Sequence, residues 1–117
     1  MPTEFTQRTI AVLKKVPRGK VVTYGLVAAM AGNPRGARQV VRTLNTSWEK
    51  DKLPWHRVIN SQGKISLKPG QGYELQKSLL EREGVKFGPG GQVDLEKYLW
   101  SPSVRKTGVG QRRPTPQ

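Results

Sequence analysis

A mainly α fold with short strands, built on a helix-turn-helix, is predicted from three observations. Three short helical segments each open on a residue suited to cap them, and glycines close two of the four predicted helices. A Gly32-Asn33-Pro34 turn separates the second segment from the third. The third then carries Arg35, Arg38 and Arg42, with no acid between Arg35 and Trp48.

Thr3 caps the first helix, which runs to about Val16 with Phe5, Val12, Leu13 and Val16 turned inward. Pro17-Arg18-Gly19-Lys20 ends it. Thr23 opens a short second helix through Leu26, Val27, Ala28, Ala29 and Met30, and Gly32 occupies the usual stop position. Asn33 as cap and Pro34 as first helical residue predict a third helix from Pro34 to about Thr46. On its wheel Ala37, Val40, Val41 and Leu44 form one apolar stripe, with Arg35, Arg38 and Arg42 gathered opposite. Two short helices around a tight turn, the second bearing an arginine row, predict a helix-turn-helix. A solvated charged face is the commoner fate of such a row. The lack of neighbouring acids favours DNA.

Residues 47–55 read as a loop, Val58 and Ile59 as a short extended segment, and Ser61-Gln62-Gly63 as a turn. The glycine-rich stretch Ser66-Leu67-Lys68-Pro69-Gly70-Gln71-Gly72 reads as a surface loop. Leu75, Leu79 and Leu80 then support a helix to Glu83, closed by Gly84. Leu95, Tyr98, Leu99 and Trp100 form an apolar patch that docks on the core. Residues 1–100 are predicted to make a single domain, and 101–117 a basic, disordered tail rich in Pro and Gly.

Composition narrows the function. With 21 Lys+Arg against 8 Asp+Glu the net charge is +13. The tail contributes only Arg105, Lys106, Arg112 and Arg113, so the first hundred residues still hold +9 and the basic character is not confined to one end. Such a surface seeks polyanions. Mean hydropathy is −0.63, and no apolar run approaches the roughly 20 residues that cross a bilayer. With no signal peptide, a cytoplasmic, nucleoid-associated or nuclear location is expected rather than secretion. Zero cysteines and one histidine exclude a disulfide or thiolate metal site and make a structural zinc site improbable; no cofactor is expected.

The string LPWHRVI, Leu53 to Ile59, carries the most specific signal. It resembles the active-site signature of the O6-alkylguanine-DNA alkyltransferases, in which a cysteine stands where Trp55 stands here. An activated thiolate attacks carbon through a soft exposed lone pair. Indole offers none, since its lone pair belongs to the ring and its N–H only donates. The resemblance extends collinearly over about Thr3 to Trp100. It includes Gly19-Lys20-Val21-Val22-Thr23-Tyr24-Gly25, Ala31-Gly32-Asn33-Pro34-Arg35-Gly36-Ala37-Arg38 and Leu79-Leu80-Glu81-Arg82-Glu83-Gly84. With tryptophan in the cysteine position and no separate N-terminal domain, the chain most resembles the alkyltransferase-like proteins, non-catalytic counterparts of the alkyltransferase C-terminal domain.

That resemblance implies a monomeric binder of double-stranded DNA containing O6-alkylguanine, which holds the lesion without repairing it and flags it for excision repair proteins. It makes Tyr24 the side chain that presses on the phosphate and Arg38 the finger that replaces the flipped nucleotide. Arg35, Gly36, Ala37 and Arg42 would meet the minor groove. Trp55, Pro54 and Lys68 would line the lesion pocket, Lys68 standing for an arginine of the relatives. His56, Arg57 and Glu83 would persist as a structural remnant of the active site, Arg57 as a buried anchor paired with a carboxylate. The enzymes' hinge asparagine aligns with Ser47, two residues after Asn45. Unaided by the resemblance, composition favours Trp55 as an ordinary core tryptophan, leaves Tyr24 evenly between core packing and exposure, and makes Arg38 a phosphate contact.

Two other function classes compete. A sequence-reading helix-turn-helix transcriptional regulator would use the arginine face but leaves LPWHRVI unexplained. A hydrolase or transferase built on His56 and Glu83 would need activated water or a substrate nucleophile, and one such pair is a weak signal.

Overall fold

The computed structural model describes residues 3–100; the tail predicted at 101–117 lies outside the described residues. Eight short elements follow in order: α1 (Glu4–Lys15), β1 (Val22–Thr23), α2 (Tyr24–Met30), α3 (Ala37–Ser47), a 3-10 turn (Trp55–Arg57), β2 (Val58–Ile59), α4 (Tyr73–Arg82) and α5 (Leu95–Tyr98). Thr3 caps α1 by accepting from the Thr6 N–H, and Thr23 caps α2 by accepting from the Leu26 N–H, each at 3.1 Å.

The strands pair in parallel, Val22 opposite Val58 and Thr23 opposite Ile59. Parallel pairing needs a crossover, which α2 and α3 provide. Alternation along the two strands then serves two cores. Val22 and Val58 join Leu13, Val16, Val27, Val40, Leu44 and Leu53 between α1, α2 and α3. Val21 and Ile59 join Ile65, Leu80, Val85, Val93 and Tyr98 beneath α4 and α5. The C-terminal apolar patch docks as expected, with Leu99 bridging to Val21 and Trp100 packing on the first core.

The third helix begins later than its sequence signals suggest. Asn33 does not cap it: its Oδ1 accepts from the Arg35 N–H, and its carbonyl accepts from the Gly36 N–H. Asn33-Pro34-Arg35-Gly36 is therefore a turn, α3 starts at Ala37 with Gly36 as cap residue, and Arg35 lies before the helix. The side-chain amide and proline that favour a helix start also favour a turn, and the turn prevails. The helix face differs too. Val40, Thr43 and Leu44 are buried, whereas Val41 is 39% exposed at the stripe's edge.

Gly36 is buried, not presented at the surface as a groove-facing residue would be. A Cβ there would lie 2.6 Å from Phe5 Cζ and 3.2 Å from the Asn33 carbonyl oxygen. Its smallness thus lets α1 close on the turn before α3. Gly36→Ala is expected to cost about 1–2 kcal/mol by displacing Phe5, lowering the melting temperature by about 5–10 °C in a domain of this size. An unchanged melting curve would show that the ring has room to move.

On α4, Leu75 is exposed while Gln76 is buried. Gln76 Nε2 donates to the carbonyls of His56 and Val58, both at 3.0 Å, so this polar side chain ties α4 to the LPWHRVI segment.

Candidate nucleic-acid interface and lesion pocket

Glu83 reaches its place through the end of α4. Gly84, at φ +94°, closes the helix with its N–H on the Glu81 carbonyl, and Val85 donates to the Leu80 carbonyl. Those two bonds satisfy the last carbonyls and need a residue at home in the left-handed region. The Glu83 carboxylate then points under the 3-10 turn with only 6% of the side chain exposed. It accepts from Arg57 Nε at 3.0 Å and Arg57 Nη2 at 2.8 Å, from the Gly19 N–H at 3.0 Å, and from His56 Nε2 at 2.7 Å. Arg57 Nη1 also donates to the Val16 carbonyl at 2.8 Å. One carboxylate thereby joins the end of α1, the approach to β1 and the tryptophan motif. Burial would raise its pKa, but the Arg57 and His56 hydrogen bonds, the Gly19 N–H and the His56 charge outweigh that and bring it from 4.5 to about 2.

Trp55 lies over this network, half-buried, packed on the first core and edge-on to His56. On its other side opens a cavity of about 260 Å³. Tyr24 lines it from the start of α2, with Val41, Leu44, Asn45 and Trp48 from α3 and its C-cap, and Leu67, Gln71 and Gly72 from the glycine-rich loop. Burial holds the Tyr24 phenol above its ordinary pKa, the Ser66 hydroxyl pulling partly the other way, so it stays neutral beside an anion. Of the residues expected from sequence to line this space, Trp55 does. Pro54 and Lys68 do not: the exposed Lys68 leaves the loop's contribution to its neighbour Leu67.

Val41, Leu67, Asn45 and Trp48 escaped the sequence reading as pocket residues. A signal existed for those on α3. Arg38, Val41, Asn45 and Trp48 stand at i, i+3, i+7 and i+10, one face of a helix advancing 100° per residue. Arg38 heads this stripe and Arg42 flanks it, both exposed. Among the described residues the ion pairs are Arg8 with Glu4 and Glu83 with Arg57 and His56. The α3 arginines face solvent with their charge unspent.

A short helix pair that exposes arginines beside an apolar, indole-walled cavity defines a helix-turn-helix nucleic-acid-binding domain. The match is to the DNA-binding domain of 6-O-methylguanine DNA methyltransferases, over residues 4–85, and the chain belongs to that family. It is 50% identical over 99 residues to the DNA base-flipping protein of Vibrio parahaemolyticus, covering 85% of this chain and 98% of that one. It is 38% identical over 104 residues to alkyltransferase-like protein 1 of Schizosaccharomyces pombe, covering 85% and 96%. The fold is also similar to the crystal structure of S. pombe Atl1 in complex with damaged DNA containing O6-carboxymethylguanine. That match has a TM-score of 0.74 at 38% identity, over 87% of this chain and all of that one.

Proposed function

We propose that this protein binds duplex DNA at O6-alkylguanine, turns the modified nucleotide out of the stack into the cavity beside Trp55, and holds it there without removing the alkyl group. The observation that carries this reading is the position of Trp55. It sits where the resemblance of LPWHRVI to the family's signature puts the nucleophile, and it lines a cavity flanked by Tyr24 and by the arginine-bearing face of α3. The relatives named for base flipping and the Atl1 complex with an O6-modified guanine support it.

Each residue has a physical task in this reading. Arg38 and Arg42 neutralise phosphates as α3 enters the minor groove, and Arg35 does so from the preceding turn. Ala37, half-buried at the first position of α3, allows close approach. Tyr24 presses on the phosphate beside the lesion, and Arg38 fills the vacated stack. Extrusion costs a few kcal/mol, less where O6 alkylation has already weakened pairing. Trp55 contacts the flipped base by its ring and offers no lone pair for alkyl transfer. His56, Arg57 and Glu83 act as scaffold.

With no chemistry to release it, the complex itself is the output, and excision repair proteins are its proposed readers. Among the described residues no helix is long and apolar enough to cross a membrane; a location with the DNA, in nucleoid or nucleus, and action as a monomer belong to the same proposal.

The test is a binding titration of an O6-methylguanine duplex against its unmodified twin, with varied flanking sequence. The lesion duplex is expected to bind more tightly in every context, with protein and DNA masses unchanged after incubation. Equal affinities would overturn the reading. A preference that follows the flanks would favour a sequence-reading regulator, and a shifted mass would establish an enzyme.

A further inference from the structure

We infer that Trp48 is a specificity-determining residue, the second aromatic wall of the pocket, and that it gives this protein a preference for flat aromatic O6 substituents over methyl. The inference rests on the proposed lesion binding and adds the class of substituent and the residue that selects it. Its first support is the distribution of exposed apolar side chains. Among the described residues the large hydrophobics left open to solvent are Val41, Trp48, Leu67 and Leu75, and the first three all line the one cavity beside Trp55. An apolar cluster of this kind, concentrated on a concave site, marks a ligand surface rather than scattered exposure.

The second support is the pairing of the two indoles. Trp48 and Trp55 meet edge to face with centroids 6.2 Å apart and planes at 63°, so they wall the cavity as two faces at an angle. The chain between them is tied to keep that geometry. Trp48 caps α3 with its N–H on the Leu44 carbonyl, the Leu53 N–H returns to the Trp48 carbonyl at 2.8 Å, and the Trp55 N–H follows onto the Leu53 carbonyl at 2.8 Å. Lys52 adopts a left-handed backbone, φ 54°, to complete the return. That conformation is unfavourable for a lysine and is held by the closure around it.

The consequence is selective. A methyl group on O6 adds only one carbon of apolar surface to a base lying on Trp55, and so gains little from a second aromatic wall. An arylmethyl group can reach it and meet Trp48 in an offset or edge-on arrangement, while Val41 and Leu67 cover its rim. Because Trp48 is still 45% exposed, the empty pocket leaves apolar surface that a ring would bury. Trp48 is also the last position of the same α3 stripe as Arg38, about 15 Å along one rod. Seating α3 in DNA therefore fixes finger and wall together.

Fluorescence anisotropy with three duplexes, carrying guanine, O6-methylguanine or O6-benzylguanine, tests this on the full chain and on Trp48→Ala and Trp48→Phe. The benzyl duplex should bind the native protein about tenfold more tightly than the methyl duplex. Trp48→Ala should lower benzyl affinity by about tenfold and methyl affinity by less than about twofold, and Trp48→Phe should keep most of the preference. Equal losses on both lesions, or none on either, would overturn the role of Trp48 while leaving lesion binding intact. No preference for either lesion over guanine would instead remove the proposed function, and this inference with it. Melting curves of the variants check folding, which a half-exposed side chain is not expected to disturb.

Discussion

Replacing Arg38 by alanine is expected to weaken binding to an O6-alkylguanine duplex by about 30-fold, equivalent to about 2 kcal/mol, and to bring it close to the affinity for unmodified DNA. The side chain stands in the first turn of α3, exposed, on the stripe that leads through Val41 and Asn45 to the cavity. If it fills the gap left by the flipped nucleotide, its removal leaves an unstacked step and an orphaned partner base with an unpaired edge. Both penalties fall on the flipped state alone. Arg42, one turn further, serves as the control: its loss should lower affinity for modified and unmodified duplexes by similar factors and reduce the dependence of log K on log salt by about 0.9.

The conservative variant makes the distinction sharper. A guanidinium is planar, stacks on bases and presents a fork of donors, whereas an ammonium is a hydrated point charge. Arg38→Lys keeps the phosphate attraction and loses the stacking. It should therefore retain most binding to unmodified DNA while losing much of the lesion preference. Full retention of that preference in Arg38→Lys would reduce Arg38 to a phosphate contact, and the insertion role would have to pass to another side chain.

How far the fold can be read from sequence depends on how local each cause is. Thr3 and Thr23 cap their helices as predicted because a cap needs only a hydroxyl and the next turn. Gly84 ends α4 for a comparably local reason. Asn33-Pro34 misleads because the same two residues serve a turn as well as a helix start, and Phe5, distant in sequence, packs against Gly36 to complete that turn. The strand at Val22–Thr23 goes unread, since two residues show no period and its partner lies beyond two helices. The ion pair of Arg57 follows from the family motif, but the Gly19 N–H that joins it could not be foreseen, as any residue supplies a backbone donor. Trp55 announced the pocket through the family motif it resembles. Its walls were less legible: Trp48 is the C-cap of α3, Leu67 comes from the glycine-rich loop, and Val41 sat at the edge of a stripe assigned to the core. Lys68 was favoured for its charge, yet the loop turns its apolar neighbour inward.

Glu83→Gln should destabilise the protein by about 3 kcal/mol, the scale for removing one partner of a buried ion pair, and lower the melting temperature by about 15 °C. Glutamine keeps the shape, but its amide nitrogen turns a donor toward Arg57 or His56, both of which already donate to this site. The pH dependence identifies the charge as the cause. Glu83 is held at about 2 when folded, against 4.5 ordinarily. Its stabilising contribution is therefore complete above about pH 4.5 and is lost as pH falls toward about 2, where the folded form also takes up the proton. Between those limits the unfolded chain binds the proton that the native ion pair refuses, so stability falls with acid. Urea titrations at pH 7, 4 and 2.5 should show the difference between native protein and Glu83→Gln shrinking as pH is lowered. A difference that stays constant across that range would assign the loss to packing and leave the ion pair without a role in stability. Because the same carboxylate orients the turn bearing Trp55, the variant should also bind the lesion less tightly at neutral pH even well below its melting temperature. Restoring the melting temperature with a stabilising osmolyte should not restore that affinity.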